Sequence, residues 1–575
     1  MKHLLFTLFF AVICAAFARG QQIYIDENFA DWAEIEPLFE DDPGKNSGLG
    51  LSVFKITNDS SYLYFYLEMV SEILFQQDNN LSLFIDSDNN KSTGFSIHNI
   101  GAEFEYQFGA RQGTFYGSQT STFGAYQIGL VSAPTVSSPV FEFKLNRNSS
   151  INGQALFPSD TIAVMVKSAD DSDIIPGADS SSVYVFKADL KFVPTRYQMV
   201  KKQLGDLRVL SYNVLRDNLF ASRLRNSYQR ILQAIKPDII GFQEVYNFSG
   251  ADAAQLMEDF LPSAVGEQWF SGDTGSDNLV VSRYPVIQQQ ALGGNSAYLL
   301  DLGDRTLMMI VAHTPCCSNN SGRQDEIDAF MAFLRDSQNS AGFNIAYGSP
   351  ILIVGDMNLV GLSEQQRTLL TGDIKNENTY GNDFDPDWDG SALNDARPAN
   401  TELPTSFTWY DTGSSFSPGR LDYIVYSGSV LELVNSFSLF TPALPADTLS
   451  AHLLEKDDTL LASDHLPVVS DFRLKVLTAN NMEGGQPTDF HLFQNYPNPF
   501  NPTTTIDYQL SETAAVTLEV FSLSGQKIAT LIYHKVQSAG SYHVIFDAAQ
   551  LPSGVYLYRL QAGLGTLFNK MVLIK

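Results

Sequence analysis

Cysteine is nearly missing from this chain. It occurs three times in 575 residues, and Cys14 sits in the first apolar run, so only Cys316 and Cys317 remain beyond it. That excludes a disulfide framework. Adjacent Cα atoms lie about 3.8 Å apart, short of the usual disulfide span of about 4.4–6.8 Å, so two free thiols are expected. Basic residues are scarce as well: 36 Lys and Arg stand against 64 Asp and Glu, a formal net charge of -28. Such a surface favours solubility but offers no broad basic face for coating a polyanion. It leaves room for a protein that holds a few phosphates through a bound cation. Long apolar runs are the third absence. Beyond Leu4–Phe17 no segment approaches the roughly 20 apolar residues of a membrane-spanning helix, so no integral membrane segment is expected in the mature chain.

What is present begins with an export signal. Lys2 and His3 give a polar start, Leu4 to Phe17 is almost wholly apolar, and Ala16-Phe17-Ala18 offers a small-x-small cleavage site. Residues 1–20 are therefore expected to be a signal peptide. The remaining length suits about three domains.

Residues 21–195 carry short alternating runs, among them Tyr62 to Leu67, Leu81 to Ile85, Phe141 to Leu145, Ile162 to Val166 and Val183 to Phe186. Polar turn clusters separate them, which predicts a β-sandwich. Residues 205–475 change character. Leu224, Tyr228, Ile231, Leu232 and Ile235 share one helical face ahead of Pro237, and Ile327, Phe330, Met331 and Leu334 repeat that spacing. Apolar strands lie between such helices, which predicts a layered α/β domain. Residues 476–488 read as a linker, and residues 489–575 return to β alternation with turns predicted at Gly525, Gly540 and Gly554.

In the middle domain, polar residues recur where an apolar strand stops. Val209-Leu210-Ser211-Tyr212-Asn213 ends on an amide, Ile239-Ile240-Gly241-Phe242-Gln243-Glu244 on a carboxylate, and Ile310-Val311-Ala312-His313 on an imidazole. Ile351-Leu352-Ile353-Val354-Gly355-Asp356-Met357-Asn358 ends on a carboxylate and an amide. Asp422 lies inside Arg420-Leu421-Asp422-Tyr423-Ile424, and Ser463-Asp464-His465 precedes another strand. Any one of these is ordinarily a turn residue or a helix cap. Converging on one rim, oxygen ligands suit a hard cation such as Mg2+, and a histidine beside it can take a proton from water.

Taken in order, those six segments resemble the endonuclease/exonuclease/phosphatase superfamily over residues 207–473. The superfamily includes deoxyribonuclease I, apurinic endonucleases, inositol polyphosphate 5-phosphatases and neutral sphingomyelinases. The resemblance implies a four-layered α/β sandwich with two central β-sheets flanked by helices. It implies Glu244 as principal ligand of Mg2+, with Mn2+ as an alternative, and Asn213 and Asp464 around the same metal. By the same resemblance His465 is a general base oriented by Asp422, Asp356 and Asn358 position water and phosphate, and His313 faces the phosphate. Met357-Asn358-Leu359-Val360 and Arg420-Leu421-Asp422 depart from the 5-phosphatase signatures, and His313 argues against the apurinic endonucleases. The leading expectation is a secreted nuclease acting on phosphodiester bonds. A phospholipid phosphodiesterase of the sphingomyelinase kind is the second reading, and a surface glycan-binding protein with an inactive hydrolase domain is the third. The acidic stretch Asp383 to Asp389, with Trp388, is expected to be an ordered surface loop, with binding of a second cation as the alternative.

The flanking domains carry resemblances of their own. Asp86-Ser87-Asp88-Asn89-Asn90-Lys91-Ser92-Thr93-Gly94 resembles a loop of secreted β-sandwich modules related to family 9 carbohydrate-binding domains. It implies a Ca2+ site at Asp86, Asp88 and Asn90 and a glycan partner, although the EF-hand pattern fails at Lys91 and Ile97. Gln494-Asn495-Tyr496-Pro497-Asn498-Pro499-Phe500-Asn501-Pro502-Thr503-Thr504 and Leu551-Pro552-Ser553-Gly554-Val555-Tyr556 resemble the type A C-terminal sorting domain of the type IX secretion system. That implies the secretion machinery as a partner, a Gram-negative source, delivery to the outer surface or the medium, and loss of residues from about 488 onward. The fold class expected is thus multidomain: a β-sandwich, the four-layered α/β sandwich, and a small Ig-like β-sandwich. Because every candidate catalytic residue lies beyond residue 205, residues 21–195 are expected to be dispensable for chemistry.

Overall fold

Alternation of buried side chains along short strands builds the N-terminal part into two facing antiparallel sheets. In the computed structural model the described residues are 22–40, 48–177, 182–187, 193–194, 197–339, 341–475 and 491–575, the last without 512, 524, 563 and 564. The expected signal peptide and linker lie outside them. One sheet orders Phe39–Glu40, Leu51–Asn58, Tyr62–Ile73, Ser138–Asn146 and Val131–Ala133. The other is built around Thr161–Lys167, Ser82–Asp86, Phe104–Gln107 and Gln112–Tyr116. Leu63, Phe65, Leu67, Phe141 and Phe143 from the first pack against Leu83, Ile85, Phe104 and Val164 from the second in one core. Period-2 alternation puts these residues on one face of each strand.

The middle domain uses one construction twice. Leu207–Asn213 and Ile239–Gln243 pair in parallel, with the helix Arg225–Ile235 between them in sequence. Thr306–His313 and Ile351–Asp356 pair in parallel, joined by the helix Asn320–Gln338. A parallel pair needs such a crossover, and it leaves both strand ends on one rim. The first sheet extends to Leu279–Ser282 on one side and to Val468–Leu474 and Leu431–Ser438 on the other. The second extends to Asn295–Asp301 and to Asp422–Tyr426.

Side-chain alternation then sorts the core. Leu207 and Val209 meet Met309, Val311, Val354 and Ile424 between the two sheets. Leu210, Tyr212 and Ile240 turn the other way, onto Tyr228, Ile231 and Leu232 of the first helix. Ile310 and Ile353 likewise meet Ile327, Phe330, Met331 and Leu334. The sheets approach closely at Gly241, where a Cβ would stand 2.7 Å from Val354 Cγ2. The helix ahead of Pro237 closes on Lys236 in the left-handed conformation, φ 53°, a common helix C-terminal cap, and Pro237 cannot continue the helix. The acidic stretch is anchored: Trp388 donates its indole N–H to the Ser349 carbonyl at 2.7 Å, and buried Asp387 accepts from Ser429.

The C-terminal part pairs Thr503–Leu510 with Gly540–Asp547 and builds a second sheet from Lys527–Gln537, Ala514–Ser522, Gly554–Ala562 and Gly565–Leu573. Of the three glycines expected in turns, Gly525 makes one at φ 82°, between two paired strands. Gly540 and Gly554 instead open strands. The motif residue Asn495 ties the tail together, donating to the Pro497 carbonyl and the Thr504 hydroxyl.

Candidate active site

Parallel register sets the site. Asn213 stands opposite Gln243, His313 opposite Asp356, and Asp356 opposite Asp422, so the ends of five strands meet where the two sheets share a rim. Ligand sites in open α/β sheets form outside such strand ends. Asn213 joins the sheets: its amide donates to Glu244 Oε1 and to Asp356 Oδ2, both at 3.1 Å. Glu244 Oε2 accepts the Arg216 N–H at 2.9 Å. Two carboxylates from different sheets are thereby held beside one buried amide.

Several residues around the site hold a left-handed backbone. Glu244 (φ 62°), Asn358 (φ 45°) and the run Leu215, Arg216 and Asp217 (φ 47°, 51° and 63°) are left-handed non-glycine residues. Such residues persist where surrounding bonds over-determine them, and they cluster at functional sites. The Asp217 N–H to Glu244 carbonyl bond at 2.9 Å and the Asp217 carboxylate on the Tyr246 N–H at 2.7 Å are two of those bonds.

Two imidazoles face the carboxylates, each backed by its own acid. His465 Nδ1 lies 2.8 Å from Asp422 Oδ2 and its Nε2 lies 3.6 Å from Asp356 Oδ2. His313 Nδ1 lies 2.7 Å from Asp277 Oδ2, and its Nε2 points between Asp356 Oδ2 at 3.7 Å and Glu244 Oε1 at 4.0 Å. Burial disfavours the charged form of His465, but the Asp422 and Asp356 charges outweigh it and push the ring up to about 10. Burial opposes charge on His313 too, and the Asp277 hydrogen bond together with the Asp356 charge raises it to about 9. Asp422 is fully buried, and burial lifts its carboxyl above the ordinary range.

Asp464 is held differently. Its Oδ2 accepts the Trp409 indole N–H at 3.1 Å, its carbonyl accepts the Tyr410 N–H at 2.8 Å, and its Oδ1 is buried without a partner. Asn358 stands on the same rim, its N–H on Asp356 Oδ1 at 3.1 Å and its amide on the Thr314 carbonyl at 3.0 Å. Direct contacts thus join Asn213, Glu244, His313, Asp356, Asn358, Asp422 and His465, while Asp464 enters through its neighbour His465 and through Trp409. Asp277, Thr408 and Trp409 escaped the sequence reading. Asp277 lies in Gly275-Ser276-Asp277-Asn278, ahead of a strand instead of after one, and Trp409 carries no acid–base signal. Cys316 and Cys317 are exposed free thiols.

The donor set fits a hard divalent cation. Glu244 and Asp464 offer carboxylate oxygens, Asp464 Oδ1 is buried with no hydrogen-bond partner among the described residues, and the neighbouring Asn213 is a further oxygen-bearing group. The tighter group Asp356, Asp422 and His465 is a proton-sharing chain instead, because His465 Nδ1 is already committed to Asp422.

Residues 210–465 match the Endonuclease/Exonuclease/phosphatase family model. The middle domain belongs to this family. It is a phosphoric ester hydrolase domain. The C-terminal residues 494–575 match the secretion system C-terminal sorting domain, which directs the chain by type IX secretion to the cell surface or the extracellular space. Among the described residues no helix is long and apolar enough to cross a membrane.

Similar solved structures include the human Nocturnin catalytic domain with bound sulfate, at 17% identity and TM-score 0.30, covering 47% of this chain and 95% of that one. A truncated TDP2 from Caenorhabditis elegans is similar at 16% identity and TM-score 0.31, covering 46% and 97%. Sphingomyelinase C from Streptomyces griseocarneus is similar at 14% identity and TM-score 0.30, covering 46% and 99%. No curated protein sequence matches the chain.

Proposed function

We propose that the family domain is a secreted, cation-dependent phosphodiesterase whose substrate is nucleic acid. One observation carries the reading: two carboxylates bridged by Asn213 stand between two histidines, each fixed by its own acid. A phosphodiester needs a proton removed from water on one side and a proton given to a departing oxygen on the other. His465, with Asp422 on Nδ1, would present Nε2 to take the proton from water once a bound cation offsets the carboxylate charge that otherwise keeps the ring protonated. His313, with Asp277 on Nδ1, presents its own Nε2 across Asp356 and can protonate the leaving oxygen. Glu244, Asn213 and Asp464 are the residues that would hold Mg2+, or Mn2+ in its place. When bound, such an ion neutralises charge that develops on the phosphoryl oxygens. Asp356 and Asn358 orient water and phosphate. The intact set argues against an inactive glycan-binding protein, and a phospholipid phosphodiesterase remains the second enzyme reading.

The test is a parallel assay of the full chain on DNA, RNA, sphingomyelin and bis(p-nitrophenyl) phosphate. Cleavage of DNA or RNA that chelation abolishes and Mg2+ restores is expected. Activity on sphingomyelin alone would transfer the reading to phospholipids, and inertness toward all four would refute it.

The same proposal reads the chain as a β-sandwich at 21–195, the family domain at 205–475 in four layers, a linker at 476–488 and the sorting domain at 489–575. It also includes a Ca2+ site in the first sandwich at Asp86, Asp88 and Asn90, to which Glu103 is added. Asp86, Asp88 and Glu103 each bring a carboxylate oxygen within 4.8 Å of the others. Asp86 is 0% and Glu103 9% exposed, and Glu103 Oε1 meets no donor. Burial raises both carboxyls, as expected of charges without a counterion. Glu103 lies beyond the Asx loop, supplied by the hairpin Phe95–Ile97 and Ile100–Ala102 that folds back over it. Asn90 stays beside them, its backbone N–H on Asp86 Oδ1 and Asp88 Oδ1 at 2.9 Å. Nothing observed supports a glycan ligand, and none is proposed. Ca2+ should raise the melting temperature of wild type and of Glu244→Gln, and should leave Glu103→Gln unmoved. An equal response in Glu103→Gln would remove the site.

A further inference from the structure

Every residue placed in the reaction lies beyond residue 205, yet the loop that positions three of them is gripped by the N-terminal sandwich. The loop spans residues 404–420. At its centre the Thr408 hydroxyl accepts the N–H groups of Leu421 and Asp422 at 2.9 and 2.8 Å. The Thr408 carbonyl accepts the Leu466 N–H at 2.7 Å, beside His465. Trp409 and Tyr410 hold Asp464 by its carboxylate and its carbonyl. The loop therefore sets where Asp422, His465 and Asp464 stand relative to one another.

Its outer contacts are with the other domain. Ile25 runs beside Thr405, donating to the Pro404 carbonyl at 3.0 Å and accepting from Ser406 at 3.1 Å. Tyr126 accepts the Asp411 N–H at 3.0 Å and sets its ring edge-on to Tyr410, 5.1 Å between centroids. Gln76 accepts the Ser417 N–H at 2.8 Å. Thr135 donates to the Leu359 carbonyl at 2.7 Å, next to Asn358.

The base of the loop carries a buried charge that only the N-terminal domain completes. Arg420 is 2% exposed and lies 3.9 Å above the Tyr423 ring. Its guanidinium binds Asp395 on one edge at 2.7 Å and Glu27 on the other at 2.6 Å. Glu27 is fixed in turn by Glu142, a fully buried carboxylate in the strand Ser138–Asn146. Glu142 accepts the N–H groups of Asp26 and Glu27 at 2.7 and 2.8 Å and the Trp32 indole at 2.9 Å. Such a chain of buried, satisfied polar groups fixes geometry. Losing one partner leaves the other buried and unpaired.

We propose that residues 22–32 of the N-terminal domain are part of the frame of the active site, and that Glu27 is a positioning residue acting through Arg420 and the 404–420 loop on Asp422, His465 and Asp464. The domain expected to be dispensable is then required for turnover. This rests on the phosphodiesterase reading.

The experiment uses the full chain on bis(p-nitrophenyl) phosphate with Mg2+, well below the melting temperature of each variant. Glu27→Gln keeps the shape and removes the charge. A displacement of about 1 Å costs roughly 100-fold in favourable cases, so kcat is expected to fall about 10- to 100-fold while KM changes little, and the Mg2+ requirement rises as Asp464 shifts. Glu27→Asp should recover part of the loss. Tyr126→Phe loosens the far end of the same loop and should lower kcat in the same direction but less, which keeps a readout if Glu27→Gln folds poorly. Glu27→Gln and Trp409→Phe should be non-additive, as coupled sites are. Folded Glu27→Gln with kcat within about twofold of wild type overturns the inference, as would strict additivity with Trp409→Phe. Inactivity of wild type overturns the phosphodiesterase reading instead.

Discussion

Replacing Asp422 by Asn separates proton transfer from cation binding. The ring of His465 stands at about 10 against an ordinary value near 6.5, and each unit is about 1.4 kcal/mol, so its carboxylate neighbours outweigh burial by a net of roughly 4–5 kcal/mol in favour of the charged ring. Asp422 at 2.8 Å is nearer than Asp356 at 3.6 Å, and about half of that total, ~2–3 kcal/mol, falls to it. A charged ring is what His465 becomes as it takes a proton from water, so the lost stabilisation appears in the barrier as roughly 30- to 150-fold in kcat. The amide keeps the volume of the buried side chain and leaves no unpaired charge. His465→Ala is the coarser change, since it strands the fully buried Asp422 at a cost of about 3–5 kcal/mol. The assay is steady-state hydrolysis of bis(p-nitrophenyl) phosphate, with calorimetric Mg2+ titration and thermal melting on the same sample. Expected are a kcat lowered about 100-fold, near-wild-type Mg2+ affinity and a small change in melting temperature. Unchanged turnover in folded Asp422→Asn would refute the assignment of this pair to proton transfer.

Glu244→Gln should weaken Mg2+ binding, and excess Mg2+ should restore part of its activity; calorimetry and turnover on one variant check both. In protein freed of cations, both raised histidines contribute stability that is fully present below about pH 6.5 and is lost as pH rises through about 9 for His313 and about 10 for His465. Added Mg2+ should draw both values down, because its positive charge beside the rings opposes theirs and it would share Glu244 and Asp464, which help to raise them; imidazole NMR titration reads this directly. Gly241→Ala puts a Cβ 2.7 Å from Val354 Cγ2 between the sheets and should destabilise by about 1–3 kcal/mol, measured by denaturant unfolding, without altering the apparent Mg2+ requirement. Mass spectrometry of secreted protein should show residues 1–20 and those beyond about 488 removed; an intact end at Lys575 contradicts the processing.

The sequence alone carried the strand ends. Asn213, Glu244, His313 and Asp356 each follow an apolar run, and parallel pairing can bring such ends to one rim, so their convergence was legible from local pattern and order. The sorting tail was legible for a similar reason, because its Asn-Pro-rich segment is a local motif. Glu103, Asp277 and Glu27 were not. Glu103 reaches Asp86 only because the hairpin Phe95–Ala102 folds back over the Asx loop, and Asp277 reaches His313 only through the meeting of two sheets. Glu27 meets Arg420 across 393 residues of chain, a contact no periodicity encodes. Local alternation and turn chemistry decide which face a side chain takes and where a strand ends. Which buried charge is completed by which distant partner depends on how whole layers pack, because an unpaired charge in the interior is stabilised only by whatever the tertiary fold sets beside it.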